Sequence, residues 1–133
     1  MFLFNTSLAR IVITIKINCI LIENKEYFLR VSQLFKRVEE KLDEFEEDID
    51  YDSTPDKLLV NLEKNGKKIV LNTQRAIKEI WLAGNSRGWH FQYNVTKNIW
   101  FAKAEKQEFY ECFANLLTDN LGKEVSFSEL KNK

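Results

Sequence analysis

The first strong pattern along the chain is a set of apolar residues that recur every three or four positions. Such spacing puts them on one side of a helix, the side that we expect to face the core. They are Phe28, Val31, Phe35, Val38, Leu42 and Phe45. A second side of the same helix carries acids three, four and seven residues apart, namely Glu40, Asp43, Glu44 and Glu47. The pattern thus predicts one helix with a core side and an acidic side.

After Glu47 the period changes from about 3.6 residues to two. Asp48, Asp50 and Asp52 alternate with Ile49 and Tyr51. A period of two indicates a strand with the three aspartates on one side. We therefore expect the acidic stripe to continue from the helix onto the edge of a sheet.

Alternating apolar residues predict further strands at residues 58–62, 68–71, 77–82, 89–95 and 99–102, the first two joined by a two-residue turn at Asn65-Gly66. Helical spacing returns over residues 107–121 and ends at Gly122, before a tail at residues 125–130 that we expect to lie against this helix. The order is helix, about six strands, helix. It predicts an α+β two-layer sandwich, with two helices packed on one face of an antiparallel sheet.

The strand at residues 77–82 has a tryptophan in an unusual position. If Ile80 and Leu82 face the helices, Trp81 points away from them. An exposed tryptophan is a favoured anchor in protein interfaces, and three polar residues near it in sequence are expected to form a rim around it: Asn72, Gln74 and Arg75. The alternative is that Trp81 only packs across strands against another aromatic ring.

The charge of the chain is distributed very unevenly. Ten of its 20 acids lie between Glu39 and Asp56, where Lys41 is the only base, so this segment carries −9 while the whole chain is neutral. Crowded carboxylates repel one another unless cations offset them. Metal ions and a basic protein surface are the candidates, whereas nucleic acid is disfavoured because the carboxylates would repel phosphates. The alternative is that the acids bind nothing and only form a solvent-exposed face.

The 133 residues fit one domain, which we expect at residues 23–133 after an N-terminal extension at residues 1–22. The extension contains no acid, and it reads as a start-site extension or a presequence. Its apolar run contains Lys16 and Asn18, which argues against a membrane span. Cys19 and Cys112 have no metal-binding spacing and indicate ordinary thiols in a reducing compartment.

Residues that carry catalytic chemistry are scarce. His90 is the only histidine, which excludes a histidine pair or a histidine-rich metal site, and we expect it on the polar side of its strand. No glycine-rich phosphate loop, HExxH or GxSxG motif occurs. Nothing in the sequence requires an enzyme.

Taken in order, these features resemble the frataxin family. The acidic helix and strand, Asn65-Gly66, Asn72-x-Gln74, Ile80-Trp81-Leu82 and Gly88-Trp89-His90-Phe91 follow one another over about residues 27–127. The Glu39-Glu40-Lys41-Leu42-Asp43 run, His90-Phe91 and the ending Glu124-Val125-Ser126-Phe127 are similar to the bacterial CyaY branch. Residues 83–87 lack the Ser-Pro turn of many eukaryotic members, which also favours the bacterial branch.

The resemblance implies a protein that has no catalytic site. It implies that the protein binds iron (Fe2+ and Fe3+) weakly and regulates iron–sulfur cluster assembly. Its implied partners are a cysteine desulfurase and its scaffold protein, and it implies a monomer in the bacterial cytoplasm, or alternatively in the mitochondrial matrix. The positions that match the family's acidic ridge are Glu39, Glu40, Asp43, Glu44, Glu46, Asp48, Asp50 and Asp52, and Glu47 adds one further acid. Trp81 matches the sheet tryptophan that meets partners, with Asn72 and Gln74 beside it.

Two other functions stay open at this stage. One is a purely electrostatic protein-binding module in which metal binding is incidental. The other is a ferroxidase that oxidises Fe2+ on the acidic ridge, which needs two metal positions close together. Carboxylate oxygens suit hard cations such as Fe3+, Fe2+, Mn2+ and Ca2+, and an open surface predicts modest affinity and poor selectivity.

Overall fold

A computed structural model describes residues 22–127 of the chain. The predicted extension at residues 1–22, including Cys19, lies outside the described residues except for its last member. Ile22 is buried in the core. The domain boundary at residue 23 and the role of the extension both stay predictions.

Helix α1 spans Asn24–Leu42 and packs its apolar side on the sheet. Tyr27, Val31, Leu34, Phe35, Val38 and Leu42 are all buried. The prediction was wrong for Phe28, which is 46% exposed. Tyr27 takes the inward position instead, and its hydroxyl donates a hydrogen bond to the carbonyl oxygen of Glu79 at 2.7 Å. This contact ties the start of α1 to the sheet.

The acidic end of α1 is tighter than an ideal helix. A 3-10 turn at Asp43–Phe45 follows Leu42, and residues 46–48 form a further turn before the first strand. Glu47 therefore lies in this turn and not on the helix, and Asp48 lies just before the strand. Phe45 remains partly buried against the core.

The sheet has seven antiparallel strands in sequence order, one more than predicted. They are β1 Ile49–Ser53, β2 Lys57–Leu62, β3 Lys68–Gln74, β4 Glu79–Gly84, β5 Arg87–Asn94, β6 Ile99–Ala102 and β7 Gln107–Glu108. Each strand pairs with the next one along the chain, so that β1 and β7 form the two edges.

Four local predictions differ from the structure. The strand predicted at residues 89–95 runs from Arg87 to Asn94, so Val95 lies in the turn after it. Residues 77 and 78 are not in a strand, because a 3-10 turn at Arg75–Ile77 ends in Lys78 with a left-handed backbone (φ 54°). Gln107 and Glu108 pair with β6 as β7 and do not begin a helix. The β2–β3 connection spans residues 63–67, where Gly66 adopts a φ of 70°, so that Asn65-Gly66 forms only part of the turn.

Helix α2, Phe109–Leu121, begins where Glu108 caps it. The Glu108 carboxylate accepts hydrogen bonds from the backbone N–H groups of Tyr110 and Glu111. Gly122 ends the helix with a φ of 71°, as predicted. The tail then returns along α2, where the Val125 N–H donates to Thr118 Oγ1 at 3.0 Å. The tail prediction is confirmed for residues 125–127, and residues 128–130 lie outside the described residues.

Both helices pack on the same face of the sheet, which confirms the two-layer α+β sandwich. The core lies between these layers and contains the inward residues of the strands, such as Leu58, Leu71, Ile80 and Phe91. The opposite face carries no helix among the described residues. We call this uncovered side of the sheet the open face. The fold thus places the acidic segment at the β1 edge, where the helix layer meets the open face.

Candidate functional site

The acidic residues predicted as metal ligands gather around the β1 edge. We call them the acidic edge: Glu39, Glu40, Asp43, Glu44, Glu46, Glu47, Asp48, Asp50 and Asp52. The first four lie at the end of α1 and in the 3-10 turn, and the next three lie in the turn that leads to β1. Asp50 and Asp52 alternate with Ile49, which is buried under the helices, so both project on the open face. The acidic edge therefore wraps around β1.

Three members of the acidic edge have identified partners. Lys41 is only 5% exposed, and its ammonium lies 3.1 Å from Glu44 Oε2. Lys123, which follows α2, lies 2.8 Å from Asp48 Oδ2. The Tyr51 hydroxyl donates to Asp43 Oδ1 at 2.7 Å. This hydrogen bond to Asp43, reinforced by burial, raises the pKa of Tyr51 to about 12, so Tyr51 stays a neutral donor.

The other six acids make no ion pair with any residue between 22 and 127. They are Glu39, Glu40, Glu46, Glu47, Asp50 and Asp52. Within the same range, no three carboxylate, imidazole or thiol side chains are close enough together to hold a metal ion between them. Exposed carboxylate oxygens suit a hard cation, but such a cation would keep much of its water here. This donor set fits weak iron binding.

Asp56, the tenth acid of the segment, is used differently. Its carboxylate accepts hydrogen bonds from the Thr73 hydroxyl at 2.8 Å and from Arg75 Nε at 2.7 Å. These hydrogen bonds, that with Arg75 foremost, hold the pKa of Asp56 below its ordinary value. The Arg75 guanidinium also lies over the Phe28 ring, 5.3 Å from its centroid. Asp56 therefore joins the β1–β2 loop to β3 and α1 and is not part of the acidic edge.

The strand register arranges the open face in rows that run across the sheet. One row begins in the acidic edge and continues through Asp52, Leu59, Val70 and Ala83. The adjacent row contains Lys57, Asn72, Trp81 and His90. A third row contains Gln74, Glu79 and Gln92. The acidic edge, an apolar row and the Trp81 row thus form one continuous surface.

Trp81 points to the open face, as its position between Ile80 and Leu82 predicted. Both of these neighbours are buried in the core. Trp81 itself is only partly buried, and it stacks on His90 with ring centroids 4.2 Å apart and an interplanar angle of 11°. Trp81 therefore both packs across the strands against another ring and faces away from the core. Asn72 lies directly opposite Trp81, and Gln74 Nε2 donates to Asn72 Oδ1 at 3.0 Å.

Sequence reasoning missed four residues of this surface. Leu59 and Val70 are partly exposed on the open face beside Trp81, and their alternation with buried residues was the available signal. Glu79 accepts a hydrogen bond from Trp81 Nε1 at 2.8 Å. His90 was expected on the polar side of its strand, which is confirmed, but its stacking on Trp81 depends on the register of β4 and β5.

Other candidate chemistry lies away from this surface. Cys112 is buried, which raises the pKa of its thiol to about 12 and leaves it protonated at neutral pH. A groove of about 650 Å³ lies between α1, the start of α2 and strands β5 and β6, and its lining includes Arg30, Arg37, Tyr93 and Lys97. It is on the helix side of the sheet. Within residues 22–127, no helix is both long and apolar enough for a membrane crossing.

Comparison with known proteins agrees with this geometry. The sequence model of the protein family described as the frataxin-like domain matches residues 21–123 of this chain. An iron–sulfur cluster assembly protein CyaY of Buchnera aphidicola is 30% identical over 106 residues, 79% of this chain and 90% of that protein. The CyaY of Azotobacter vinelandii is 29% identical over 100 residues, 75% of this chain and 90% of that protein. The solved frataxin of Psychromonas ingrahamii superposes with a TM-score of 0.71 at 27% identity, over 80% of this chain and 98% of that one.

Proposed function

This chain belongs to the frataxin family, and from that premise we propose that it is an iron-binding accessory or regulatory protein of iron–sulfur cluster assembly. The acidic edge binds Fe2+ or Fe3+ weakly, and the open face contacts a cysteine desulfurase and its scaffold protein. The bacterial relatives that share most of its length are named for this assembly process. Action as a monomer in the bacterial cytoplasm remains a prediction from the resemblance.

One observation carries this proposal. The register joins Asp52 through Leu59 and Val70 to Ala83, and the next row across the same face contains Trp81. A partner that lies on the open face therefore meets carboxylates, apolar side chains and an indole together. Interfaces with an aromatic anchor inside a charged rim combine affinity with electrostatic steering. A carboxylate cluster alone would not require the apolar row.

Iron binding is tested by removing charge from the acidic edge. Asp50→Asn with Asp52→Asn keeps the side-chain shapes and removes two uncompensated carboxylates. Glu111→Gln with Asp119→Asn is the matched control, because both acids are exposed on α2. Under anaerobic conditions, Fe2+ should broaden the amide NMR signals of β1 in the wild type and in the control, and much less in the acidic-edge variant. Equal broadening in all three proteins would show that iron does not bind at β1.

The role in cluster assembly is tested in a reconstituted reaction that contains the desulfurase and scaffold of the same organism. Addition of this protein should change the rate of cluster formation, and the acidic-edge variant should change it less than the α2 control. A rate that is the same with and without the protein would contradict the proposal.

A purely electrostatic docking module remains the second candidate, since no three potential ligands converge within residues 22–127. In that case the affinity for the partner would fall as the salt concentration rises, but it would be the same with added iron as with added chelator. Iron-dependent partner binding would rule this candidate out.

The ferroxidase candidate needs two metal positions close together on the acidic edge. It is tested by the oxygen consumed per Fe2+ added to the protein, with the same iron in buffer as the reference. Oxygen consumption above that reference, lost in the acidic-edge variant, would support an enzyme. Equal consumption would exclude this activity.

A further inference from the structure

The indole of Trp81 is held on two sides. Its Nε1–H is donated to Glu79 Oε1 at 2.8 Å, and one of its faces is covered by the imidazole of His90. Glu79 lies two residues before Trp81 in β4, so both side chains project from the same side of the strand. The side-chain rotation that an exposed tryptophan would otherwise retain is restricted by these contacts.

The stack also fixes which face of the indole His90 leaves uncovered. Trp81 and His90 are directly paired across β4 and β5. Their ring centroids are 4.2 Å apart, close to the spacing of about 4.8 Å between neighbouring strands. Nearly parallel rings at that distance stand upright on the sheet and stack across the strands. The second face of the indole therefore points toward β3, above Asn72.

Glu79 is itself held in place by neutral groups. Its Oε2 accepts a hydrogen bond from Gln92 Nε2 at 3.0 Å, and its backbone carbonyl accepts the Tyr27 hydroxyl at 2.7 Å. Among residues 22–127, Glu79 makes no ion pair. Its partly buried carboxylate thus has only neutral hydrogen-bond donors among the contacts found for it in the described domain. A carboxylate has lone pairs left after two such bonds.

We propose that Glu79 is a positioning residue of the partner surface, which holds Trp81 against His90 and leaves the opposite indole face as a preformed site for a planar cationic side chain. An arginine guanidinium of the partner fits this chemistry. It stacks on an indole face, and its N–H groups match carboxylate and amide oxygens such as those of Glu79 and Gln74. The inference rests on the proposed function in so far as the partner is a cluster-assembly protein.

Preorganisation explains why Glu79 matters although its carboxylate is not the anchor itself. A side chain that is ordered only on binding lowers affinity, by about 2- to 10-fold for one flexible side chain. Glu79→Gln keeps an oxygen that accepts the indole N–H but removes the charge. Glu79→Ala removes both. The pair of variants therefore separates the positioning of Trp81 from the attraction of a cation.

The positioning is measured on the protein alone by NMR of its three tryptophan indole N–H groups, with Trp81→Phe to assign the signal. In Glu79→Ala the Trp81 indole N–H should shift and should exchange faster with water. In Glu79→Gln and in the control Glu111→Gln its exchange should stay close to that of the wild type. The Trp89 and Trp100 signals serve as internal references, because both side chains are buried. An unchanged Trp81 signal in Glu79→Ala would overturn the positioning role.

The ligand chemistry is measured by titration with N-acetylarginine amide, with N-acetyllysine amide as the comparison. The arginine compound should shift the Trp81 signal more than the lysine compound, and the difference should shrink in Glu79→Gln. Equal shifts with the two compounds would overturn the planar-cation site.

Affinity for the desulfurase and the scaffold should fall about 2- to 10-fold in Glu79→Ala and less in Glu79→Gln. Unchanged affinity in Glu79→Ala would overturn the role of Glu79 in binding. Absence of binding by the wild type would instead refute the proposed function, and the NMR measurements on the protein alone would still decide whether Glu79 positions Trp81.

Discussion

Asp48 and Asp52 lie four residues apart in the acidic edge but have different electrostatic surroundings. Asp48 faces the Lys123 ammonium at 2.8 Å. Asp52 makes no ion pair with any described residue, and Asp50 lies two positions away on the same side of β1. We therefore predict that neutralisation of these two aspartates changes stability in opposite directions: Asp52→Asn should stabilise the protein, and Asp48→Asn should destabilise it.

The magnitudes follow from the geometry. Residues two apart in a strand are separated by about 6.7 Å, and two unit charges at that distance repel by about 0.6 kcal/mol in water. Asp52→Asn should therefore raise the free energy of unfolding by about 0.6 kcal/mol at low salt. Asp48→Asn removes a partly exposed ion pair, which contributes about 0.2–1 kcal/mol. The opposite charges of Asp48 and Lys123 sum to zero, so the pair repels the neighbouring carboxylates little. Asp48→Asn therefore removes little repulsion from the acidic edge.

Thermal unfolding followed by circular dichroism tests both values in chelator-treated buffer. A change of 0.6 kcal/mol corresponds to about 2–4 °C in Tm for a domain of this size. The effect of Asp52→Asn should largely disappear in about 0.5 M salt, because the Debye length of about 4 Å is then shorter than the distance between the two charges. The effect of Asp48→Asn should shrink less, because its ion pair at 2.8 Å lies within that length. Glu111→Gln is the control, because Glu111 is exposed on α2, far from β1; it lies in the first turn of that helix, so Glu111→Gln should lower Tm slightly and should not raise it.

Two outcomes would refute this reasoning. Shifts of the same sign for Asp48→Asn and Asp52→Asn would mean that the Lys123 contact does not distinguish the two sites. A stabilisation by Asp52→Asn that persists in high salt would mean that it comes from something other than charge repulsion.

Three further predictions concern other parts of the domain. Trp81→Ala should lower the free energy of unfolding by about 1–3 kcal/mol, through loss of the stack and the hydrogen bond, and should speed dissociation from the partner. Denaturant titration and binding kinetics check this, and an unchanged dissociation rate would contradict it. Removal of residues 1–21 should leave Tm nearly unchanged, whereas Ile22→Ala should cost about 2 kcal/mol because Ile22 is buried. A loss of several degrees on truncation would instead show that the extension packs on the domain. The lowered pKa of Asp56 stabilises the fold above the ordinary value of 3.8, and this contribution is lost as pH falls through the lowered pKa. Stability curves at decreasing pH should therefore fall more steeply for the wild type than for Asp56→Asn, and parallel curves would contradict the role of Arg75.

Much of the fold was predictable because helices and strands have fixed periods. The alternation around Trp81 was enough to put Ile80 and Leu82 in the core and the indole on the open face. The three- and four-residue spacing located both helices, and Gly122 marked the end of the second. Each of these features depends on the geometry of one short segment, which the local sequence determines.

Element boundaries were less predictable, since neighbouring segments compete for the same residues. Phe28 fits the apolar period of α1 but is displaced by Tyr27, whose hydroxyl finds an acceptor in the sheet. Gln107 fits the period of α2 but pairs with β6 as part of a seventh strand. In both cases a contact with a distant segment outweighs the local pattern.

The sequence by itself determined where the carboxylates are concentrated and that Trp81 faces away from the core. Only the tertiary structure decided which carboxylates are compensated and how the indole is held. The contact of Asp48 with Lys123 spans 75 positions of the chain, and the stack of Trp81 on His90 requires one register between β4 and β5. The charge of each residue can be read from the sequence. Whether a carboxylate is paired with a cation, and how a side chain is oriented, depends on pairs of residues. Those pairs form only when the chain folds and brings distant segments together.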